Sequence, residues 1–494
     1  MSKRHRPDSP RPSKSHDRRS IQNTDPDPPK SKPPQVFPSY LDIPNLPDKI
    51  KLLCEIIATT PSVQVDTVLS NAGFRVTTKD VEEVLKLSYL YPAAAIKFFR
   101  WAGYRLIDRH SPYAWNLVVD ILGKNCDFDA MWKAIDSMKN QGLLSLSTFG
   151  SVYGSYVVAE KVDEAIRAFE GLGRFGFNQD VFAMNSFLSV ICQDGKTKDG
   201  YKFLGLFKGK IKPDADTYAI LLEGWEKEED VGNVKRTFYD MVEEIGWEPG
   251  NFVAYDSVLS TLLKDKGGGI HEAMKYFGKL KEKNCYPGIR FFKSALNECA
   301  ANGRLKDAIV LWDAINVQNG FKLDVELYNA MILLYTHVED VDLARKLLDE
   351  MVLNDVYPDF NSYNILFKFL LKSRKLKEAQ PLFVEMTKNE FVPTHECCYL
   401  AVRVFIDGGD PYNAIKVWKC MIENYNSDLE ETGNLLVTGL HDLKRLSEAV
   451  KYAEDMIDRG IKLTSTSLAK LRHGLAKAGK GSVYDELFSK WKRY

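Results

Sequence analysis

Three stretches have the residue types and spacing used by catalytic or cofactor sites, and each lacks a part that the chemistry needs. Gly171, Gly173 and Gly176 satisfy GxGxxG by letter. That pattern cradles a pyrophosphate only between a strand and the start of a helix, and here helical segments lie on both sides. Gly195-Lys196-Thr197 matches the end of a phosphate-binding loop, but Val190 stands where the first glycine belongs. His395-Glu396-Cys397-Cys398 offers zinc-site letters, yet zinc-dependent deamination needs HxE and a separate PCxxC, and neither occurs. The eight cysteines (54, 126, 192, 285, 299, 397, 398 and 420) form no CxxC pair. That argues against a zinc knuckle or a disulfide framework, and for packed free thiols in a reducing compartment. The eight histidines have no paired spacing. The chain therefore reads as a non-enzyme, with no catalytic residue, metal ligand or cofactor.

What does recur is a short polar signature beside an aromatic or apolar residue: Tyr328-Asn329, Tyr363-Asn364, Trp115-Asn116 and Met184-Asn185. Its carrier is a repeat. Val325–Asp359 and Phe360–Thr394 align without a gap, matching at Tyr328/Tyr363, Asn329/Asn364, Ala344/Ala379, Met351/Met386 and Pro358/Pro393. A fixed period of this size is the mark of a solenoid. Within one unit, apolar residues at 3.6 spacing (Tyr328, Met331, Ile332, Tyr335) predict a helix A. A polar turn such as Asn302-Gly303-Arg304 follows. Helix B then carries a small alanine at the tight contact and Leu, Phe or Met on its packing stripe. One such hairpin cannot bury its apolar face alone, so the units must stack. The expected fold is all-α: a right-handed superhelix of helix-turn-helix repeats, its concave wall lined by A helices.

The repeats read in register as 112–145, 146–180, 181–214, 215–251, 252–288, 289–324, 325–359, 360–394, 395–429 and 430–464. Residues 465–494 read as a truncated terminal unit, and 40–111 as a helical region with one degenerate repeat from about Val76. Residues 1–39, rich in Pro, Ser, Lys and Arg, cannot bury a face and are expected to be disordered. No apolar run is long enough to span a membrane, so no membrane insertion is expected. The charge is uneven: formally zero overall, it is +5 over residues 1–35 and −5 over the remainder. A nucleic-acid binder is expected to carry a basic footprint, and the repeat body carries none overall.

Two helical repeats have this size. The tetratricopeptide start, Trp-x-x-Leu-Gly-x-x-Tyr, does not recur. The Tyr-Asn start, the Gly303-Arg304-Leu305, Lys375-Leu376 and Arg445-Leu446 turns, and the endings Lys212-Pro213-Asp214, Pro358-Asp359 and Lys322-Leu323-Asp324 do recur. Over residues 76–494 the chain resembles a pentatricopeptide repeat protein of the plant organellar type. Because the sequence stops after its repeats, it resembles the plain P-class. The resemblance implies single-stranded RNA held one base per repeat, the base being selected by the fifth and last residues of each unit. Carried over, Asn185 with Asp214 and Asn329 with Asp359 match the uracil-preferring pair. Asn116 with Ser145, Asn364 with Thr394 and Asn434 with Thr464 resemble pyrimidine-leaning pairs. An Asn amide offers both a donor and an acceptor to a base edge. The bland reading is also physical: Asp or Thr before a helix is an N-cap whatever the function.

Five units depart from the pattern: Gly150/Asp180, Ala219/Asn251, Asp256/Gly288, Lys293/Asp324 and Tyr399/Leu429. The second residue, usually aliphatic in the family, is acidic at Asp216, Glu326, Glu396 and Glu431, where it would repel a phosphodiester. The expected RNA register is therefore interrupted, with a footprint that is short or weakly specific. The function implied is a non-enzymatic, sequence-selective RNA-binding adaptor affecting RNA stability, processing or translation. The alternative is a protein-interaction scaffold, as in an organellar ribosome or RNA-processing complex, with proteins of those assemblies as partners. The resemblance implies a mitochondrial location, with the chloroplast as the alternative. Asp8, Asp17, Asp25 and Asp27 make a poor transit peptide, and Lys3-Arg4-His5-Arg6 keeps a nuclear or cytosolic location open.

Overall fold

The computed structural model describes residues 37–106, 109–317 and 322–492. The N-terminal segment expected to be disordered thus lies almost wholly outside the described residues. Among these residues there are 26 α-helices and no strand. They divide into two compact units, one ending at Met138 and one beginning at Lys139.

The first unit holds α1 (Asp48–Thr59), α2 (Val65–Asn71), α3 (Thr78–Lys86), α4 (Pro92–Gly103), α5 (Pro112–Lys124) and most of α6 (Phe128–Asn140). Its core is Leu53, Ile57, Val81, Val84, Ala95, Phe98 and Ile121, all essentially without solvent contact. Ala95 is the small residue the repeat pattern places at the helix-B contact. His110 stacks on Phe99, ring centroids 3.7 Å apart, and its Nε2 lies 2.8 Å from the Phe99 carbonyl.

The second unit is a serial stack of helix pairs. It runs α7 (Leu146–Val158), α8 (Val162–Glu170), α9 (Val181–Gln193), α10 (Thr197–Phe207), α11 (Ala215–Lys227), α12 (Val231–Ile245), α13 (Phe252–Lys264) and α14 (Gly269–Glu282). It continues through α15 (Ile289–Ala301), α16 (Leu305–Val317), α17 (Val325–His337), α18 (Val341–Leu353), α19 (Phe360–Lys372) and α20 (Leu376–Lys388). The last helices are α21 (His395–Asp407), α22 (Pro411–Asn424), α23 (Glu430–Asp442), α24 (Leu446–Asp458), α25 (Ser465–Lys477) and α26 (Gly481–Trp491). Each odd-numbered A helix packs against the next A helix and against its own B helix. The packing follows the sequence pattern: Ala344, Ala379, Met351, Met386 and Leu348 are buried at the repeat contacts.

In the second unit the turns between A and B helices share one cause, except the glycine-lengthened turn after α13. After α17, Asp340 N–H bonds back to the Tyr335 carbonyl (3.0 Å), and after α19 Lys375 N–H bonds to the Leu370 carbonyl (2.9 Å). This six-to-one closure requires a left-handed residue in between, supplied by Glu339 (φ 60°), Arg374 (φ 54°) and, after α15, Gly303 (φ 64°). Asp340 then caps α18 by accepting from the Leu343 N–H at 3.0 Å. Six of the eight free cysteines are buried, Cys420 is half-buried and Cys126 is exposed. No helix of the described residues is long and apolar enough to cross a membrane.

Candidate nucleic-acid interface

Every A helix begins with four N–H groups that its own turns cannot satisfy. At most of the A helices an acidic or hydroxyl residue just before the helix meets that need; α13, α15 and α23, preceded by Asn251, Gly288 and Leu429, lack one. Asp214 Oδ1 accepts the Thr217 N–H at 2.9 Å, and Asp359 Oδ1 accepts that of Ser362 at 2.8 Å. The Thr217 and Ser362 hydroxyls return the favour to the cap backbone, at 3.1 Å in both cases. These are reciprocal capping boxes.

The fifth residue of the preceding repeat joins this cap from the side. Asn185 Nδ2 donates to Asp214 Oδ1 at 3.0 Å, while its Oδ1 accepts the Thr217 hydroxyl at 2.6 Å. Asn329 repeats the arrangement: Nδ2 to Asp359 Oδ1 at 3.1 Å, and Oδ1 from the Ser362 hydroxyl at 2.6 Å. Each fifth/last pair is therefore a three-residue clamp joining neighbouring repeats. Burial alone would raise the Asp214 carboxyl, but the Asn185 amide and the Thr217 N–H and hydroxyl hold it below the ordinary value. At Asp359, burial is likewise outweighed by the Ser362 N–H, the Asn329 amide and the Ser362 hydroxyl. An amide carries two N–H donors and two acceptor lone pairs. The clamp engages one of each on Asn185 and Asn329, leaving one of each for a base edge on these half-buried residues.

The other candidate pairs differ. Asn364 donates to the Phe360 carbonyl (2.9 Å) and accepts the Thr394 N–H (3.3 Å), again with one donor and one lone pair over. Asn434 is saturated. Its amide bonds the Glu430 and Lys462 carbonyls at 2.7 and 2.9 Å. Its oxygen accepts from the Thr464 N–H, the Thr464 hydroxyl and the Ser467 hydroxyl at 2.8, 3.1 and 2.7 Å. With 7% of its surface exposed, Asn434 is a buried strut between repeats. Asn116 lies half-buried on α5 in the first unit, and Ser145 caps α7 in the second with a capping box to Thr148.

Two of the units that depart from the pattern carry charge at the fifth position, Asp256 and Lys293. Lys293, at a fifth position, pairs with Asp324, the last residue of its own repeat, and with Glu326 at 3.1 Å. Glu396 pairs with Lys368 at 2.7 Å, and that hydrogen bond and charge hold its carboxyl below the ordinary range. Two of the four acidic second residues are thus neutralised from the preceding repeat. Among the described residues Asp216 and Glu431 make no ion pair. Asp256 Oδ1 accepts the Phe291 N–H at 2.9 Å, capping α15, where Gly288 has no side chain to do so. Sequence reasoning missed Thr217, Ser362 and Ser467. A Ser or Thr three residues after each cap was the signal for them.

The PPR repeat family profile matches residues 323–372, and the PPR repeat profile matches 113–143 and 361–391. The chain is 28% identical over 191 residues to a mitochondrial pentatricopeptide repeat-containing protein of Arabidopsis thaliana, covering 39% of this chain and 37% of that one. A second Arabidopsis protein of the same description is 24% identical over 376 residues, covering 74% of this chain and 64% of its own length. The chain thus spans about a third to two-thirds of these relatives. Among solved structures, the maize pentatricopeptide repeat protein PPR10 aligns over 93% of this chain and 79% of its own. Its identity is 17% and its TM-score 0.34.

Proposed function

Because this chain is a pentatricopeptide repeat protein, we propose that it binds single-stranded RNA, without catalysis, through the clamps at the starts of its A helices. The observation that carries this reading is the pair of matching clamps, Asn185–Asp214–Thr217 and Asn329–Asp359–Ser362. Each presents a spare amide donor and acceptor on a residue already held in place. A fixed amide loses little conformational freedom on meeting a base, which favours affinity. The preferred bases are pyrimidines. By occupying a segment of RNA it affects that RNA's stability, processing or translation. The mitochondrial names of the relatives support a mitochondrial location, and organelle fractionation that leaves the chain in the cytosol would count against it.

The test is binding of the purified full chain to uridine-rich and purine-rich single strands over graded salt. Each base-reading amide contributes about 1–3 kcal/mol of discrimination. Asn185→Ala combined with Asn329→Ala is expected to remove most of the pyrimidine preference while leaving residual, salt-sensitive binding. No preference in the parent chain, or no change in the double variant, overturns the reading.

A second reading, a protein-interaction scaffold, is favoured by one feature: Lys293, Lys368 and Arg290 are held in intramolecular ion pairs. Stoichiometric protein partners that survive nuclease treatment would favour it, and partners lost on that treatment would count against it.

A further inference from the structure

Between the two clamps lie three repeats, 215–324, whose A helices α11, α13 and α15 pack side by side. No fifth residue here offers an amide: they are Ala219, Asp256 and Lys293. Arg290, the second residue of its repeat, reaches over α13 to α11. Its two terminal nitrogens meet Glu226 Oε1 and Oε2 at 3.0 and 2.9 Å, a fork-to-fork pair. Its Nε donates to Asp256 Oδ2 at 2.8 Å while Asp256 Oδ1 caps α15. Glu226 and Asp256 are 8% and 6% exposed, and Lys264 stands 3.8 Å from Glu226.

Gly288 belongs to the same device. A Cβ there would lie 3.2 Å from the Asp256 carboxylate carbon, so the cap position is left empty for Asp256 to lean in. Next door, Lys293 is held by Asp324 and Glu326. Asn251, the one amide at a last position in this stretch, is 7% exposed and faces the Ala215 carbonyl and the Met241 sulfur. The polar groups at the fifth and last positions of these three repeats are thus engaged by the protein itself. A planar bidentate pair flanked by a second carboxylate is also costly to open, because separation leaves near-buried charge uncompensated.

We propose that residues 215–324 form a stapled spacer. The protein reads a single strand through two separate tracts, one on each side of the Glu226–Arg290–Asp256 staple. The three nucleotides between them are passed over without selection. The ligand class this defines is single-stranded RNA with a pyrimidine step, three indifferent nucleotides and a second pyrimidine step. The inference rests on the RNA-binding reading above, and the interval follows from one base per repeat.

The test uses the full chain and short synthetic RNAs. Changing any of the three spacer bases is expected to alter Kd by less than about twofold, against about tenfold for uridine to guanosine at either flanking step. Adding or removing one spacer nucleotide is expected to weaken binding by about tenfold, since only one clamp then stays in register. Glu226→Gln combined with Arg290→Gln, an isosteric amide at one end and a shorter neutral side chain at the other, unfastens the staple and is expected to reduce that length penalty to below about threefold. Flanking selectivity is expected to persist. Spacer bases that discriminate as strongly as the flanks overturn the proposal, as does indifference to spacer length or a length penalty unchanged in the double variant. If the flanking steps fail to discriminate at all, the RNA-binding reading falls and takes the spacer with it.

Discussion

At the scale of single residues, the fifth-position asparagines have two roles that one amide can hold together. The structural role accounts for the clamp, and the leftover donor and acceptor allow the other. Removing the hydroxyl, as in Thr217→Ala or Ser362→Ala, costs about 1 kcal/mol of stability per site. It also loosens the amide it orients, so pyrimidine preference should fall although no group facing the ligand has changed. Acid offers a second handle. Asp214 and Asp359 sit below the ordinary carboxylate value of 3.8. A carboxyl depressed in the folded state adds stability that is complete above its unfolded value and is lost as the pH falls through the folded one. Denaturant midpoints should therefore drop as acid passes below about pH 4. Asp214→Asn with Asp359→Asn, which keeps capping ability, should flatten that drop; an unchanged acid profile would contradict the assignment. The pairs themselves were legible in the sequence, because the repeat phase puts them in register. The saturation of Asn434 was not, since it depends on two backbone carbonyls, Glu430 and Lys462, brought up by local geometry.

At the scale of helices, the 3.6-residue pattern was enough to foresee the pairing of A with B, because each stripe has no other surface to bury against. The left-handed turn residues were only half visible. Gly303 announces itself, but Glu339 and Arg374 adopt the same conformation with side chains that do not favour it. The six-to-one hydrogen bond imposes it on them. Close helix approach was also hidden. A Cβ on Gly224 of α11 would stand 2.4 Å from the Thr197 hydroxyl and 2.9 Å from Cys192 Cβ. Gly224→Val is thus an overpacking change that should cost about 1–3 kcal/mol. Urea denaturation followed by helical circular dichroism would reveal it, and a neutral result would mean that α9 and α11 lie further apart than described.

At the scale of the whole chain, the acidic balance of the repeat body misled in one respect. The charge of Glu326 and Glu396 does not stand free before a ligand, because Lys293 and Lys368 meet it from the neighbouring repeat. Composition counts such charges but cannot pair them. Arg290 and Glu226 are 64 residues apart, and only the register of three stacked helices brings them together. Stability in such a stack is close to a sum of unit and nearest-neighbour terms, so opening need not be global.

The cysteines make that opening measurable. Burial pushes the thiols of Cys54, Cys192 and Cys299 up to about 12 and raises those of Cys397 and Cys398 as well. A thiol reacts as its thiolate, so in the native chain an alkylating reagent should mark Cys126, in the exposed turn between α5 and α6, long before the rest. The buried thiols lie on α1, α9, α15 and α21, with Cys285 just after α14. Their labelling rates, read peptide by peptide in a mass spectrometer, would time the breathing of separate parts of the chain. Evolution has left a row of stopwatches along the molecule, and Cys126 is the place to hang a fluorophore while they run.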